Sequence, residues 1–152
     1  MSMGIANVII KKLHTDAQIP TRGSNYAAGY DLYAYIDNDC KEISILPHQT
    51  IKVGTGLSFE LPENTFGAIF ARSGLSTKQG LRPANCTGVC DADYRGEYIV
   101  ALHNDTDQVQ TIKHGDRIAQ LILMPYYQMI MLERDQLSET ARGDGGFAST
   151  GR

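Results

Sequence analysis

The sequence predicts an all-β protein, a sandwich or barrel, on two observations. Short runs rich in valine, isoleucine, tyrosine and phenylalanine recur along the chain, and clusters of proline, glycine, asparagine and aspartate separate them. Some runs, such as residues 50–53 and 108–112, alternate apolar and polar side chains. Because successive side chains of a strand point to opposite faces of a sheet, this alternation indicates half-buried strands.

One short helix interrupts the predicted strands. It covers residues 73–80, where Ser73 serves as the N-cap and Gly80 as the stop signal. Toward the C-terminus apolar residues become rare, and the chain ends in a glycine-rich segment. We therefore expect a β domain over residues 1–137 and a flexible C-terminal arm over residues 138–152. The predicted strands cover residues 5–13, 30–36, 43–46, 50–53, 57–61, 66–71, 98–102, 109–112, 118–124 and 127–132.

Composition limits the classes of partner. The 152 residues are the length of one domain, and 14 Lys and Arg against 17 Asp and Glu give a formal net charge of -3. This balance argues against a nucleic-acid polymer as partner, but a small polyanion needs only a few local donors. The sequence shows neither a membrane-spanning stretch nor a signal pattern. Three cysteines, an odd count, indicate free thiols, so we expect a cytoplasmic or nuclear protein.

The last eleven residues, RGDGGFASTGR, combine groups that bind phosphate and a base. Glycine lets backbone N–H groups approach an anion closely, Arg142 adds a charged fork, and Ser149 and Thr150 add hydroxyl donors. Phe147 offers a flat face for stacking. A disordered terminus is the alternative that the composition allows. Fully extended, the segment spans about 36 Å, which is far enough to reach a neighbouring subunit.

Residues 85–97 could supply the site that such an arm covers. Their sequence, NCTGVCDADYRGE, predicts a β-hairpin turn with two glycines, carboxylates and a tyrosine. Asp91 is a candidate general base, although aspartates in turns commonly bond to the backbone instead. Asn85 carries a donor and an acceptor together, as recognition of a pyrimidine edge requires.

Two further segments carry polar groups in unusual places. Arg72, Ser73 and Gly74 stand at the start of the predicted helix, where free N–H groups bind anions; a capped helix with a surface arginine is the alternative. Gln120 lies within an apolar run. Its amide either bonds a strand edge or faces a ligand.

In their order along the chain, these segments resemble the motifs of the trimeric-type dUTPase family. The five motifs are AGYDLYA at residues 28–34, RSGL at 72–75, GVCDADYRGE at 88–97, GDRIAQ at 115–120 and the tail from Arg142. The resemblance implies a distorted jelly-roll β-barrel and a homotrimer with active sites between subunits. It also implies hydrolysis of dUTP to dUMP and pyrophosphate by in-line attack of water on the α-phosphate. Such a reaction limits uracil incorporation into DNA and supplies dUMP for dTMP synthesis.

The resemblance also assigns roles to individual residues. Asp91 matches the aspartate that activates the attacking water, and Tyr94 the ring under the deoxyribose that excludes a 2′-hydroxyl group. Mg²⁺ would bind mainly to the substrate triphosphate without a direct side-chain ligand, and Asp31 would contact it through water. The resemblance implies that Asn85 binds the uracil base together with the backbone at Gly88 and near Ile99. The phosphates would be contacted by Arg72, Ser73, Gly74 and Gln120. The arm would clamp the phosphates and stack on uracil through Arg142, Phe147, Ser149 and Thr150.

Two other functions remain as alternatives. A dUTPase-like protein could bind nucleotide to regulate a partner without turnover, although Asp91, Tyr94 and the tail are all retained. A dCTP deaminase would share the fold and a related Arg-Ser motif. That reaction needs a carboxylate at the pyrimidine amino group, whereas residues 88–97 resemble the uracil-specific form.

Overall fold

The structure, a computed structural model, describes residues 5–146, and this part of the chain is almost entirely β. It contains twelve strands and one helix. The bounds are β1 Ile9–Lys12, β2 Thr21–Arg22, β3 Tyr30–Tyr33, β4 Glu42–Ile45, β5 Thr50–Gly54, β6 Leu57–Glu60, β7 Thr65–Phe70, α1 Ser73–Gln79, β8 Leu81–Pro83, β9 Thr87–Cys90, β10 Ile99–Asn104, β11 Gln110–Lys113 and β12 Arg117–Pro125.

All strand pairs are antiparallel. The largest sheet has the order β2-β3-β12-β7-β9, and a second sheet has the order β5-β10-β8. Two further pairs, β1 with β6 and β4 with β11, complete the described architecture. Strands far apart in sequence are neighbours throughout, so the sheets bring together segments that no local pattern would join.

One hydrophobic core lies between these sheets. In β10, Val100, Leu102 and Asn104 are buried while the residues between them are more exposed, which is the period expected of a strand with one face inward. The fully buried side chains come from strands of all four sheets, including Leu32, Ile45, Val53, Leu57, Leu81, Leu102, Ile112 and Ile118.

The predicted helix is confirmed, but its start differs from the prediction. Ser73 is the first helical residue rather than the N-cap; Arg72 occupies the N-cap position and makes no side-chain capping bond. The Ser73 carbonyl instead accepts a hydrogen bond from Thr77 Oγ1 at 2.6 Å. The helix ends where Gly80 adopts φ of 65°, in the left-handed region that glycine enters without a steric penalty.

Three strands were not predicted, and one predicted strand is absent. β2 has two residues, β8 contains a proline, and β9 begins with Thr-Gly, so none shows a long apolar run. The strand predicted at 127–132 was wrong: this segment has no strand partner in the described chain. Its side chains are exposed, Tyr127 by 94% and Ile130 by 86%. An apolar run forms a strand only where another strand pairs with it.

Candidate active site

The predicted site residues line two separate clefts. The β9 cleft, at the edge of the largest sheet, is lined by Asn85, Gly88, Asp91, Tyr94 and Ile99, together with Glu97 and Tyr98. The α1 cleft, at the start of the helix, is lined by Asp31, Arg72, Ser73, Gly74, Arg117 and Gln120. The structure therefore groups the predicted base-reading residues apart from the predicted phosphate-contacting residues.

Asn85 enters the β9 cleft from a tight turn before β9. Cys86 adopts φ of 59°, which is uncommon for a residue with a side chain, and Thr87 N–H donates to the Asn85 carbonyl at 2.6 Å. A Cβ atom on Gly88 would lie 3.3 Å from Asn85 Nδ2, so glycine leaves room for the amide. Neither amide atom of Asn85 has a hydrogen-bond partner within residues 5–146, and both remain available to a ligand.

The segment from residue 91 to 97 is a turn, but the hairpin prediction was wrong. β9 pairs with β7, whereas β10 pairs with β5 and β8, so the turn connects two different sheets. Asp91 lies at the start of this turn on the exposed side of the cleft, and its carboxylate has no partner in the described chain. A free carboxylate is what a general base requires.

Tyr94 is held by the end of the same turn. Its hydroxyl donates to the Glu97 carbonyl at 3.1 Å, and a Cβ atom on Gly96 would collide with the ring. Glu97 is itself fixed, because its Oε1 accepts the Gly56 N–H at 2.7 Å. Ser58 Oγ adds a hydrogen bond to the Arg95 carbonyl at 2.6 Å. The tyrosine ring therefore has a defined place above the cleft.

Two weakly acidic side chains also line the β9 cleft, the half-buried Cys90 and the buried Tyr98. Burial raises the pKa of the Cys90 thiol above its ordinary value of 9.0 and raises that of the Tyr98 phenol well above its ordinary value of 10.0. Both groups are therefore neutral at physiological pH.

We expect the free energy of unfolding to fall as the pH rises above about 9, because the unfolded chain releases these protons more easily than the folded protein does. The slope is at most about 1.4 kcal/mol per pH unit for each group. Cys90→Ala removes the contribution of the thiol. The free energy of unfolding, measured by denaturant titration, should then fall less steeply between pH 9 and pH 10. Cys40→Ala, at an exposed cysteine, is the control, and equal slopes for Cys90→Ala and the parent would contradict the assignment.

The α1 cleft is built from three neighbouring strands and the helix start. Gln120 in β12 lies opposite Asp31 in β3 and Phe70 in β7. Its Nε2 donates to the Ala71 carbonyl at 2.9 Å, so it bonds the strand end that leads into the helix and also lines the cleft. Gly29 faces this side chain, and a Cβ atom there would collide with it.

Arg72 is anchored by charged neighbours in this cleft. Its Nε donates to Asp31 Oδ1 at 2.7 Å, and Arg117 Nη1 donates to Asp31 Oδ2 at 3.2 Å. No role was predicted for Arg117 or for Glu97. Glu97 ends the GVCDADYRGE motif and Arg117 lies within the GDRIAQ motif, and this membership was the sequence signal that could have indicated them.

Comparisons with known proteins assign the chain to a family. A sequence model described as dUTPase matches residues 15–151. The chain belongs to the dUTPase family. It is 47% identical over 135 residues to the deoxyuridine 5'-triphosphate nucleotidohydrolase of Desulfitobacterium hafniense, covering 88% of this chain and 87% of that protein. The protein of the same name from Arabidopsis thaliana is 44% identical over 142 residues, covering 93% and 81%.

A solved dUTPase structure gives the fold. The dUTPase of Staphylococcus bacteriophage 80alpha, as the G164S mutant with dUpNHpp, superposes with a TM-score of 0.85 at 25% identity, covering 96% of this chain and 99% of that one. The predicted jelly-roll β fold of the dUTPase family, with a single short helix, is thereby confirmed.

The predicted dUTPase arm reaches neither cleft in the described part of the chain. Arg142 is exposed and its Nε donates to the Gly145 carbonyl at 2.8 Å, within its own turn. Phe147, Ser149 and Thr150 lie outside the described residues. The roles predicted for these four residues therefore remain predictions.

Proposed function

We propose that the protein hydrolyses dUTP to dUMP and pyrophosphate by in-line attack of water on the α-phosphate. The observation that carries this proposal is the separation of the site residues into a cleft with base-reading groups and a cleft with phosphate-binding groups. Relatives that match 88% or more of the chain carry the name of this activity. The reaction limits uracil incorporation into DNA and supplies dUMP for dTMP synthesis.

Asp91 acts as the general base that activates the attacking water. Its carboxylate lies at the mouth of the β9 cleft with no partner in the described chain, so both oxygens are free to accept a proton. The rest of the catalysis consists of positioning and of stabilising charge on the phosphates.

The β9 cleft selects the nucleoside. The free amide of Asn85 pairs with the donor and acceptor edge of uracil, and the backbone at Gly88 and near Ile99 completes the base pocket. The Tyr94 ring lies under the deoxyribose. Since its hydroxyl is bonded to the Glu97 carbonyl, the ring cannot retreat easily from a 2′-hydroxyl group, and ribonucleotides are excluded.

The α1 cleft binds the phosphates through Arg72, Ser73, Gly74 and Gln120. Within residues 5–146 no group of three or more metal-binding side chains occurs, and Asp31 is the one carboxylate among the described lining residues. Because Arg72 and Arg117 already pair with both oxygens of the Asp31 carboxylate, this residue is not free to bind Mg²⁺ directly. The cleft therefore fits an Mg²⁺ ion that is bound mainly by the triphosphate and contacts Asp31 only through water. When bound, Mg²⁺ would neutralise phosphate charge.

The active protein is a homotrimer whose sites combine clefts from different subunits. A single chain holds the two clefts apart. It also exposes the apolar segment 127–132, including Met129, Met131 and Leu132, and a second copy of the chain would cover such a surface. The arm, residues 138–152, follows the β domain of residues 1–137. It closes over a neighbouring site with Arg142, Phe147, Ser149 and Thr150.

The proposed location is the cytoplasm, or the nucleus in a eukaryotic or virus-infected cell. None of the helices in the described residues has the length and apolar character of a membrane span. The three cysteines are free, as in a reducing compartment. The partner is dUTP rather than a nucleic-acid polymer or a membrane.

Product analysis on the full chain tests this function. With dUTP and Mg²⁺ we expect the protein to release pyrophosphate and dUMP in equal amounts. With dCTP we expect it to release neither ammonia nor pyrophosphate at a rate comparable to that with dUTP. The family match does not favour the regulatory protein or the dCTP deaminase. Nucleotide binding without pyrophosphate release would instead support the regulatory protein. Release of ammonia from dCTP would support the deaminase.

A further inference from the structure

Three charged side chains meet in the α1 cleft, and one of them has no assigned role. The Asp31 carboxylate lies between Arg72 Nε, at 2.7 Å, and Arg117 Nη1, at 3.2 Å. The Asp31 side chain is only 14% exposed, whereas that of Arg117 is 51% exposed. A largely buried carboxylate is held from both sides, and the more exposed arginine is on the outside.

A register shift in the largest sheet creates this arrangement. Gln120 pairs with Asp31, and in a regular strand a residue three positions earlier would point to the opposite face. The register shifts between Arg117 and Ala119, so that Arg117 lies opposite Tyr33. Because Tyr33 is two residues from Asp31 on the same strand, the shift places Arg117 on the Asp31 face.

Asp31 and the Arg117 backbone together fix the guanidinium of Arg72. Arg72 Nε donates to Asp31, and Arg72 Nη1 donates to the Arg117 carbonyl at 3.3 Å. Within residues 5–146 its Nη2 has no protein partner and is the nitrogen left for a phosphate oxygen.

We propose that Arg117 is a positioning residue for phosphate binding: it holds the Asp31 carboxylate, and Asp31 in turn orients Arg72. This inference rests on the proposed function of the α1 cleft. Arg117 contacts Asp31 through a single nitrogen, so a lysine can replace it. Arg72 uses two nitrogens on two different acceptors, and a lysine cannot reproduce that fork.

Binding measurements on the full chain separate the two clefts. For Arg117→Gln we expect the affinity for dUpNHpp, measured by calorimetry, to fall about tenfold, in the range of a lost charged hydrogen bond. Binding of deoxyuridine, followed by NMR titration, should not change, because this ligand carries no phosphate. Arg117→Lys should stay within about threefold of the parent. Equal weakening of both ligands, or no rescue by lysine, would overturn the proposal.

A double-mutant cycle distinguishes positioning from direct contact. In the Asp31→Asn background, Arg117→Gln should weaken dUpNHpp binding by less than about twofold, since its path through Asp31 is already broken. A further tenfold loss would mean that Arg117 touches the phosphate itself. If binding in that background is too weak to measure, the Arg72 Nε–H NMR signal decides. It should shift in Arg117→Gln, and an unchanged signal would refute the proposal.

Arg82→Gln is the matched control. Arg82 makes a two-point pair with Asp105, at 2.7 and 3.0 Å, in the β5-β10-β8 sheet, and its side chain lines neither cleft. Its loss should leave binding of both ligands unchanged. These binding measurements do not require turnover. If the parent chain released no pyrophosphate, the proposed function would be refuted. The binding of dUpNHpp and deoxyuridine to the Arg117 variants would still test the positioning role separately.

Discussion

Asp91→Asn is expected to lower kcat for dUTP about a thousandfold while leaving the affinity for dUpNHpp within about twofold. The asparagine has the size of the aspartate but cannot accept a proton from water at neutral pH. Since the Asp91 carboxylate makes no bond in the described chain, its replacement breaks no contact that supports the turn. Pyrophosphate release measures kcat, and calorimetry measures the affinity.

Asp93→Asn is the matched control for this result. Asp93 lies two residues further along the same exposed turn and is not part of the β9 cleft lining. The same change of charge there should leave kcat unaltered. If Asp91→Asn lowered kcat by less than tenfold, another group would be the base. If it weakened dUpNHpp binding as strongly as it lowered kcat, Asp91 would be a binding residue.

Glu97→Ala should destabilise the fold by about 2 kcal/mol and also reduce discrimination between dUTP and UTP. The Glu97 carboxylate accepts the Gly56 N–H at 2.7 Å, and this bond ties the turn of residues 91–97 to the turn between β5 and β6. Tyr94 is bonded to the backbone of the same residue. Once the anchor is lost, the tyrosine ring can move and admit a 2′-hydroxyl group.

Urea unfolding and the ratio of kcat/KM for dUTP to that for UTP measure these two effects. Glu97→Gln keeps an oxygen that can accept the Gly56 N–H and should lose less than half as much stability as Glu97→Ala. Glu60→Ala, at an exposed position of β6, should change neither quantity. A Glu97→Ala protein with an unchanged dUTP to UTP ratio would show that the Tyr94 ring is held by other contacts.

The sequence predicted those helices and strands whose formation depends on neighbouring residues in the chain. The α1 helix was recognisable because Gly80 can adopt the left-handed conformation that ends it. The strands β5 and β11 were recognisable because apolar and polar residues alternate at positions 50–53 and 108–112. By contrast, the apolar run at 127–132 has the composition of a strand, but pairing depends on a partner that no local window contains.

The sequence indicated most of the residues that line the two clefts, but not the geometry of the clefts. The motif resemblance indicated Arg72 and Asp91, yet nothing in their spacing shows that they line different clefts. The role of Arg117 depends on a register shift between β3 and β12, two strands that lie more than eighty residues apart in the sequence. The anchoring of Glu97 depends likewise on the Gly56 amide, in the turn between β5 and β6.

The separation of the two clefts in one chain has a consequence for genetics. If each catalytic unit takes its β9 cleft from one subunit and its α1 cleft from another, a gene copy defective in Asp91 and a copy defective in Arg72 can compensate for each other. In randomly mixed assemblies about one quarter of the units would combine two intact halves. Two alleles that are each inactive alone would then restore partial activity when expressed together.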